Sequence, residues 1–529
     1  MTQNQADTPE VLISGAGPTG LMLALWLTRL GVRVRIADLK AGPVQETRAI
    51  AVQARTLEFY DQLGLGVDAM QQGRPFAAFN LFLRAQQRGA VNLSGMGDDH
   101  TPHPYLYILT QDQNEELLTH HLNKLGVQVD WQTEVTDFCQ DEGGIRAILK
   151  RGDQAETVQA SYIAACDGAA SAVRHALKIS LSGGTYEQRF YVADVDLEGK
   201  VPSGEVSVSL DDAQFLAFFP MVQPGRMRVV GSVPASVGEH LAFEAVRPEI
   251  EAGGLAQVGK LHWFSTYRVH HRVADRFQQG RAFILGDAGH VHTPVGGQGM
   301  NTGLGDAVNL AWKLAQALRS SPAALATYQA ERRPFALSLV NTTDRVFTAV
   351  VSPSPLARWV RLSLVPNVLP IITRLKAVRR LLFLTVSQTR LHYPGSPLSV
   401  GRAGRVSGGM RLPWVPHQAS SNFDALQSLK WQVHVYGPPT PELLTWCGQY
   451  DLKLNVFPFD AKAKQAGLAE GAVYLVRPDG YVGLAQAESD LEELNGYARQ
   501  WLPKPLASET SSTLAARGPA AEPAPAARR

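Results

Sequence analysis

"VLISGAGPTGLMLALWLTRLGVRVRIAD", residues 11–38, decides how the chain begins to fold. Val11–Ser14 is a short apolar run after a polar start and reads as a buried strand. Gly15, Gly17 and Gly20 then stand in the order G-x-G-x-x-G, with Pro18 among them. An apolar helix follows and ends at Gly31, and a second strand ends in Asp38, 23 residues after Gly15. The first glycine allows the tight turn, the second lets backbone approach a pyrophosphate, and the third permits close helix–strand packing. The N–H groups at the helix start meet the phosphate charge. An acid in the position of Asp38 accepts hydrogen bonds from ribose hydroxyls and disfavours a 2′-phosphate. The unit suits FAD or NAD and does not choose between them.

Working outward, the chain has 529 residues, too many for one hydrophobic core, so several domains are expected. A net charge of +2 leaves no nucleic-acid footprint. Cys139, Cys166 and Cys447 are far apart and odd in number, which argues against a disulfide framework or a zinc site and suits a cytoplasmic location. The polar start "MTQNQADTPE" does not read as a signal peptide, and the apolar run 21–27 is too short to span a bilayer. Residues 355–385 are apolar in patches but carry five arginines; amphipathic helices packed on a core are expected there, with no membrane span.

Three further stretches invite a ligand. "RAIAVQARTLEFYDQLGL" (48–65) reads as a loop entering a helix, with Arg48 and Arg55 available to an anion. "SYIAACDGAASAVR" (161–174) is a strand ending in Asp167-Gly168, followed by Ser171 and Arg174. By pattern alone it is equally an ordinary turn into a helix. "GDAGHVHTPVGGQGMN" (286–301) packs five glycines into sixteen residues after a strand and before an apolar-periodic helix. Glycine at this density lets backbone lie against a flat ring, and the helix N-terminus favours negative charge there. Gly286-Asp287 offers a carboxylate to a polyol. His290 and His292 lack a nearby third ligand, so no metal is assigned.

Together these motifs resemble the single-component FAD-dependent aromatic hydroxylases of the phenol and 3-hydroxyphenylpropionate hydroxylase type. The likeness covers roughly residues 9–345 and includes "GAGPTG", "RAIAVQARTLE", "CDGAASAVR", the stretch 280–315 and "ATYQAERRP" (326–334). It implies that Gly15, Gly17, Pro18 and Gly20 face the FAD pyrophosphate and Asp38 the adenosine ribose. Arg48 and Gln111 would contact the phosphate and ribityl part, with Gly286 and Asp287 beside them. Gly297, Gly299, Met300 and Asn301 would give contacts to the pyrimidine edge of the flavin, and Pro294 would sit near the oxygen-reacting face. The Asp167-Gly168 motif, with Arg174, would serve both FAD and transient NAD(P)H. Phenol hydroxylases carry an acid just before "RTLE"; here an apolar residue, Ile50 or a neighbour, takes that place. Tyr267 resembles the active-site tyrosine by position, and His270 and His271 are further candidates.

The fold implied is α/β: a Rossmann-like FAD-binding domain with an inserted antiparallel-sheet substrate domain, plus a C-terminal thioredoxin-like domain. Residues 1–68, 106–180 and 276–345 form the first, discontinuous unit, 69–105 and 181–275 the second, and 346–394 a helical connector. The thioredoxin-like domain takes residues 395–503, without a C-x-x-C, and packs on the flavin domain or on a second subunit of a homodimer; 504–529 is a disordered tail. Alternating runs such as "EVSVSL" and "RMRVVGSV" suit the antiparallel sheet, while "FLAFFP" is either a pocket wall or core.

The implied reaction is hydroxylation of a small aromatic substrate, phenolic or polyketide-like. NAD(P)H reduces FAD and molecular oxygen reacts as a flavin C4a-hydroperoxide. A reductase or dehydrogenase of the same fold, or a flavin-binding protein without turnover, stays open.

Overall fold

A computed structural model describes residues 8–503, apart from 46–48, 77, 84–85, 93–94, 203, 211–214, 234–240, 253–254, 294–296, 353 and 419. The expected tail, 504–529, lies outside the described residues. The strand Val11–Ser14 sits inside a six-stranded sheet, between Tyr162–Ala165 and Val34–Asp38, parallel to both. Ala282–Ile284 and Val129–Trp131 extend the parallel set on either side, and Gln278–Gln279 closes one edge antiparallel. Val11, Leu12 and Ile13 are wholly buried, as strands of a sheet covered on both faces must be.

One cover is the helix Pro18–Arg29, buried without a break from Gly20 to Leu27. It is apolar around its whole circumference because it lies between the sheet and the long helix Gly299–Arg319. Close packing here depends on missing side chains. A Cβ on Gly20 would stand 1.9 Å from the Gly15 carbonyl oxygen, and one on Gly15, at φ +98°, 2.3 Å from the Cys166 carbonyl oxygen.

The second sheet has eight strands. Its spine is a pair of 19-residue antiparallel strands, Leu181–Gly199 and Ala256–Ala274. Arg226–Ser232, Phe215–Pro220, Val206–Leu210, Ala78–Leu83 and Gln86–Asn92 follow in order, and His290–Val291 forms the opposite edge. Phe218, from "FLAFFP", is fully buried in this sheet's own core.

The C-terminal unit begins near Tyr393. Gln432–Tyr436 and Lys453–Phe457 run parallel, joined by the helix Pro441–Gln449. Val473–Val476 and Val482–Gln486 form a hairpin antiparallel to the first of them, and the helix Leu491–Trp501 closes the unit. Thr440 caps the first of these helices and Asp490 the last, each accepting backbone N–H bonds. A buried polar seam joins the unit to the rest. Arg477 pairs with Glu331 at 2.7 and 3.0 Å, Trp312 Nε1 donates to Asp479 at 3.0 Å, and Trp431 Nε1 donates to Gln316 at 3.1 Å.

Between these units, Pro355–Trp359 continues through a π-helical turn into Val365–Ile372, and Lys376–Val386 folds back as a second helix. Packing on a core holds for the inner face only. Val365 and Leu369 rest on Leu81 and Val208, and Phe383 on Ala54 and Met96, while Leu356, Trp359, Ile371, Leu375 and Leu381 are exposed. Among the described residues no helix is long and apolar enough to cross a membrane.

Candidate functional site

Three loops that are distant in sequence meet beyond the carboxyl ends of the parallel strands, the place where open α/β sheets bind ligands. They follow Ser14, Ala165 and Ile284. Ser14 Oγ donates to Asp167 at 3.3 Å, and the Leu285 N–H donates to the Ala165 carbonyl at 3.0 Å. Gly286 and Gly303 both close on Thr19: a Cβ on either would stand 2.7 or 2.3 Å from the threonine hydroxyl.

Against this crowding, Gly17 is open, since a Cβ there would meet no atom within 4 Å. Gly17 is the N-cap of the helix Pro18–Arg29 and no side chain caps it. The N–H groups of the first turn are therefore offered to an external acceptor, a ready anion site.

Asp38 lies at the end of its strand, largely buried. Its Oδ2 accepts from the Ala16 N–H at 2.6 Å and its Oδ1 from the Lys40 N–H at 2.8 Å. Each oxygen keeps a second lone pair for a ribose hydroxyl. Gln111 starts the helix Gln111–Lys124; its N–H donates to the Ala49 carbonyl and its side chain to Glu115, each at 3.0 Å. Glu115 also holds Lys40 Nζ at 3.2 Å, so Gln111 and the Asp38 loop belong to one cluster. Arg48 lies outside the described residues.

Asp167 is nearly buried. Burial raises its pKa, against hydrogen bonds from Ser171 and nearby backbone that lower it, and Oδ1 has no hydrogen-bond partner. Gly168 takes φ +79° at the turn, and Ser171 caps the short helix that follows. Arg174 points back into the protein and donates to the Ala288 carbonyl at 3.1 Å, tying this loop to the glycine-rich one.

The glycine-rich stretch threads all three parts of the site. It leaves the parallel sheet at Ile284 and turns at Gly286, with Asp287 exposed. It then pairs as His290–Val291 with Val273 and Arg272 on the second sheet, and ends as the N-terminus of Gly299–Arg319. Asp306, fully buried on that helix, fixes the turn. It accepts from the Gly286 N–H at 3.1 Å, from His290 Nε2 at 2.7 Å and from Arg332 Nε at 2.6 Å. Burial works against the charged form, but Arg332 and His290 outweigh it and hold the carboxyl below its ordinary range. Sequence reasoning passed over Asp306; its only signal was an acid inside an otherwise apolar helix, "TGLGDAVNLAWKLA".

Asn301 is buried and fully occupied. Its Oδ1 accepts from the Gln53 N–H and Thr56 Oγ1, each at 2.8 Å, and its Nδ2 donates to the Ala51 and Gly297 carbonyls, each at 2.9 Å. The side chain thus locks the helix start to the 51–56 segment. Gly297 takes φ +61°, Met300 receives the Asn114 amide at 3.3 Å, and a Cβ on Gly299 would sit 3.6 Å from His292 Nε2. Pro294 lies outside the described residues. His292 lies beside this turn, partly exposed but with its Nε2 buried; desolvation, then His290, hold its pKa down at about 4, and Nε2 has no hydrogen-bond partner.

One expected residue is committed elsewhere, and two stand on the antiparallel sheet. Arg55 is not available to an anion: it is buried, pairs with Glu58 at 2.7 Å and donates to the Asp479 carbonyl at 2.7 Å, as part of the seam. Tyr267 stands in the long strand Ala256–Ala274, its ring 6.2 Å from that of Phe190 and half-buried. His270 accepts or donates at Thr185 Oγ1, 2.7 Å away.

This arrangement fits a dinucleotide carrying a flat ring. Gly17 leaves room for a pyrophosphate, and two buried polar atoms, Asp167 Oδ1 and His292 Nε2, lack partners. A long helix also presents its uncapped N-terminus at Gly299.

Comparison with known proteins agrees in kind. The family described as "FAD binding domain" matches residues 8–343. A 6-methylpretetramide 4-monooxygenase of Streptomyces rimosus is 34% identical over 514 residues, covering 90% of this chain and 91% of the relative. A 12-dehydrotetracycline 5-monooxygenase/anhydrotetracycline 6-monooxygenase of Streptomyces rimosus subsp. rimosus is 30% identical, covering 94% and 99%. Among solved structures, an anhydrotetracycline hydroxylase from Streptomyces rimosus superposes with a TM-score of 0.77 at 28% identity, over 94% of this chain and 99% of the other.

Proposed function

The chain belongs to the FAD-binding-domain family of flavin-dependent aromatic monooxygenases, and from that premise we propose that it hydroxylates a fused-ring aromatic polyketide or a related phenol. The observation that carries this reading is the placement of residues 282–293 and 297–301. One continuous segment leaves the nucleotide-binding sheet, becomes the edge of the antiparallel sheet and ends at the helix N-terminus. A ring held by that segment is held against the sheet that would carry the substrate.

The proposed co-substrates are NAD(P)H and molecular oxygen. In balance, NAD(P)H, a proton, O₂ and the aromatic C–H give NAD(P)⁺, water and the phenol. FAD when bound supplies the route for the two electrons and the transfer of one oxygen atom. The chain's residues position and enclose. The backbone at Gly15–Gly20 and the first turn of Pro18–Arg29 would bind the pyrophosphate, and Asp38 and Gln111 the ribose and ribityl hydroxyls. Asp287 would bind the ribityl–phosphate region, and backbone from Gly297 to Asn301 the pyrimidine edge. Asp306 and Asn301 would act as positioning residues. Tyr267 and Pro294 are the proposed residues nearest the reacting ring.

We further propose that the C-terminal unit is thioredoxin-like. Its parallel pair joined by a helix, its hairpin and its final helix support this. Cys447 stands alone and buried, so the unit has a packing role. A cytoplasmic location is proposed, where NAD(P)H is supplied and free cysteines stay reduced.

The test is FAD affinity. Wild-type protein should be yellow and release its flavin on acid precipitation. Asp287→Ala should keep the fold and lose a charge-assisted hydrogen bond worth about 1.5–3 kcal/mol, roughly 10–100-fold in FAD affinity. Unchanged affinity contradicts the role given to Asp287.

A further inference from the structure

The helices at 355–386 expose more apolar surface than a water-facing element should. Val365–Ile372 reads VPNVLPII, with Asn367 its only polar residue, so it is apolar around its whole circumference. Helices of that kind are buried on all sides. Here only the inner side is covered: Val365 and Leu369 pack on Leu81 and Val208, and Pro370 fills the space over Gly89. On the outer side Ile371 is 61% exposed and Leu375 60%, and along the same pair of helices Leu356 is 72%, Trp359 56% and Leu381 53% exposed. Exposed apolar residues scattered singly are ordinary, but a cluster of this size marks an interaction surface.

Charge says what covers it. Residues 354–390 hold seven arginines and lysines and no aspartate or glutamate, in a chain whose net charge is only +2. The rest of the molecule is therefore net negative, and this face is a basic island. Arg374, Lys376 and Arg380 are exposed and flank the apolar residues. Among the described residues, Asp99 pairs with Lys376 at 4.0 Å, at the margin of the face. A two-fold contact with a second copy would set this face against itself, cation on cation. Trp and Leu beside Lys and Arg on short helices, none able to span, is the composition of an element that lies in the headgroup region of an anionic bilayer.

We propose that the outer face of Pro355–Ile372 and Lys376–Val386 docks the enzyme on an anionic lipid surface. The face is continuous with the candidate site. The Val386 carbonyl accepts from Gln298 Nε2 at 3.2 Å, and Gln388 Nε2 donates to Gln298 Oε1 at 2.6 Å. Gln298 immediately precedes the helix that starts at Gly299. A poorly soluble aromatic substrate held in the leaflet would thus meet the chain at the element that abuts the ring-binding turn.

The test is vesicle co-sedimentation of the FAD-loaded protein, with phosphatidylcholine vesicles with and without phosphatidylglycerol, and needs no turnover. Binding is expected to the phosphatidylglycerol vesicles alone and to weaken as salt is raised. Arg374→Glu combined with Lys376→Glu should lower the partition constant roughly 25-fold or more, since each cation near an anionic leaflet contributes about fivefold. Trp359→Ser with Leu375→Ser should abolish binding, with FAD content and thermal midpoint unchanged in both variants. Absence of wild-type binding to anionic vesicles at low salt overturns the proposal, whatever the variants do. So does binding indifferent to lipid charge. A concentration-dependent dimer that the same substitutions dissociate, without vesicle binding, assigns the face to a second copy instead.

Discussion

A side chain at Gly20 would run into the Gly15 carbonyl, whereas one at Gly17 would enter open space. The two glycines of one motif therefore answer to different demands, folding and ligand. Gly20→Ala should unfold the nucleotide-binding sheet or lower its stability severely, because the obstacle is backbone. Gly17→Val should leave the thermal midpoint of the apoprotein nearly unchanged and weaken FAD binding. Equal effects of both substitutions on apoprotein stability would contradict this division. The sequence motif assigns the second glycine to the ligand and the third to packing, and the structure agrees, but which atoms lie opposite each depends on the fold. Asp306 was hidden for the same reason: its three partners come from residues 286, 290 and 332. His292 carries a pH dependence. Burial, then His290, hold its pKa at about 4 in the folded chain, against 6.5 ordinarily. Between those values the unfolded chain binds a proton that the native chain refuses, so stability is lost as pH falls from 6.5 towards 4. At about 1.4 kcal/mol per pH unit this amounts to on the order of 3 kcal/mol. Denaturant unfolding across that window should show a shallower slope for His292→Phe than for wild type; an identical slope removes His292 as a source.

Elements were legible where their own residues decide them. The helices Pro441–Gln449 and Leu491–Trp501 each begin at a capping residue that the local sequence itself supplies, Thr440 and Asp490. The strand His290–Val291 was not legible, because two residues carry no periodicity and the pairing is set by Arg272 and Val273. The exposure of the outer face of 355–386 was not legible for a related reason: helical periodicity shows an apolar side but not whether anything lies against it. The seam between the flavin-type unit and the C-terminal unit was also invisible, although "ATYQAERRP" contains its key groups. Glu331 there receives Arg477, Lys313 and Asn309 together, and Arg332 holds Asp306 and Tyr393. All of these charges are buried, so removing one leaves its partners uncompensated. Arg477→Met should destabilise the chain by about 3–5 kcal/mol, and Arg477→Lys should rescue little because Glu331 and Asp479 are both gripped by the planar fork. The midpoint of urea unfolding and the rate of proteolysis near residue 395 read this out. A wild-type midpoint would mean that the seam does not hold the units together.

For the whole molecule, the order of motifs along the chain made the nucleotide-binding sheet and the flavin-type loops readable, because each motif's chemistry is local. The substrate was not readable, because residues that line a binding pocket come from separate parts of a chain and leave no contiguous signature. Relatives across nearly the full length are named for 6-methylpretetramide, 12-dehydrotetracycline and anhydrotetracycline. The proposed reaction puts one oxygen atom from O₂ into the aromatic ring. The most direct measurement is mass analysis of product made by the FAD-loaded protein with NAD(P)H, a tetracyclic aromatic phenol and heavy-isotope dioxygen. One labelled oxygen per hydroxylated product is expected, formed only when oxygen is present. Turnover that proceeds equally well without oxygen, giving a product with no labelled atom, would contradict it.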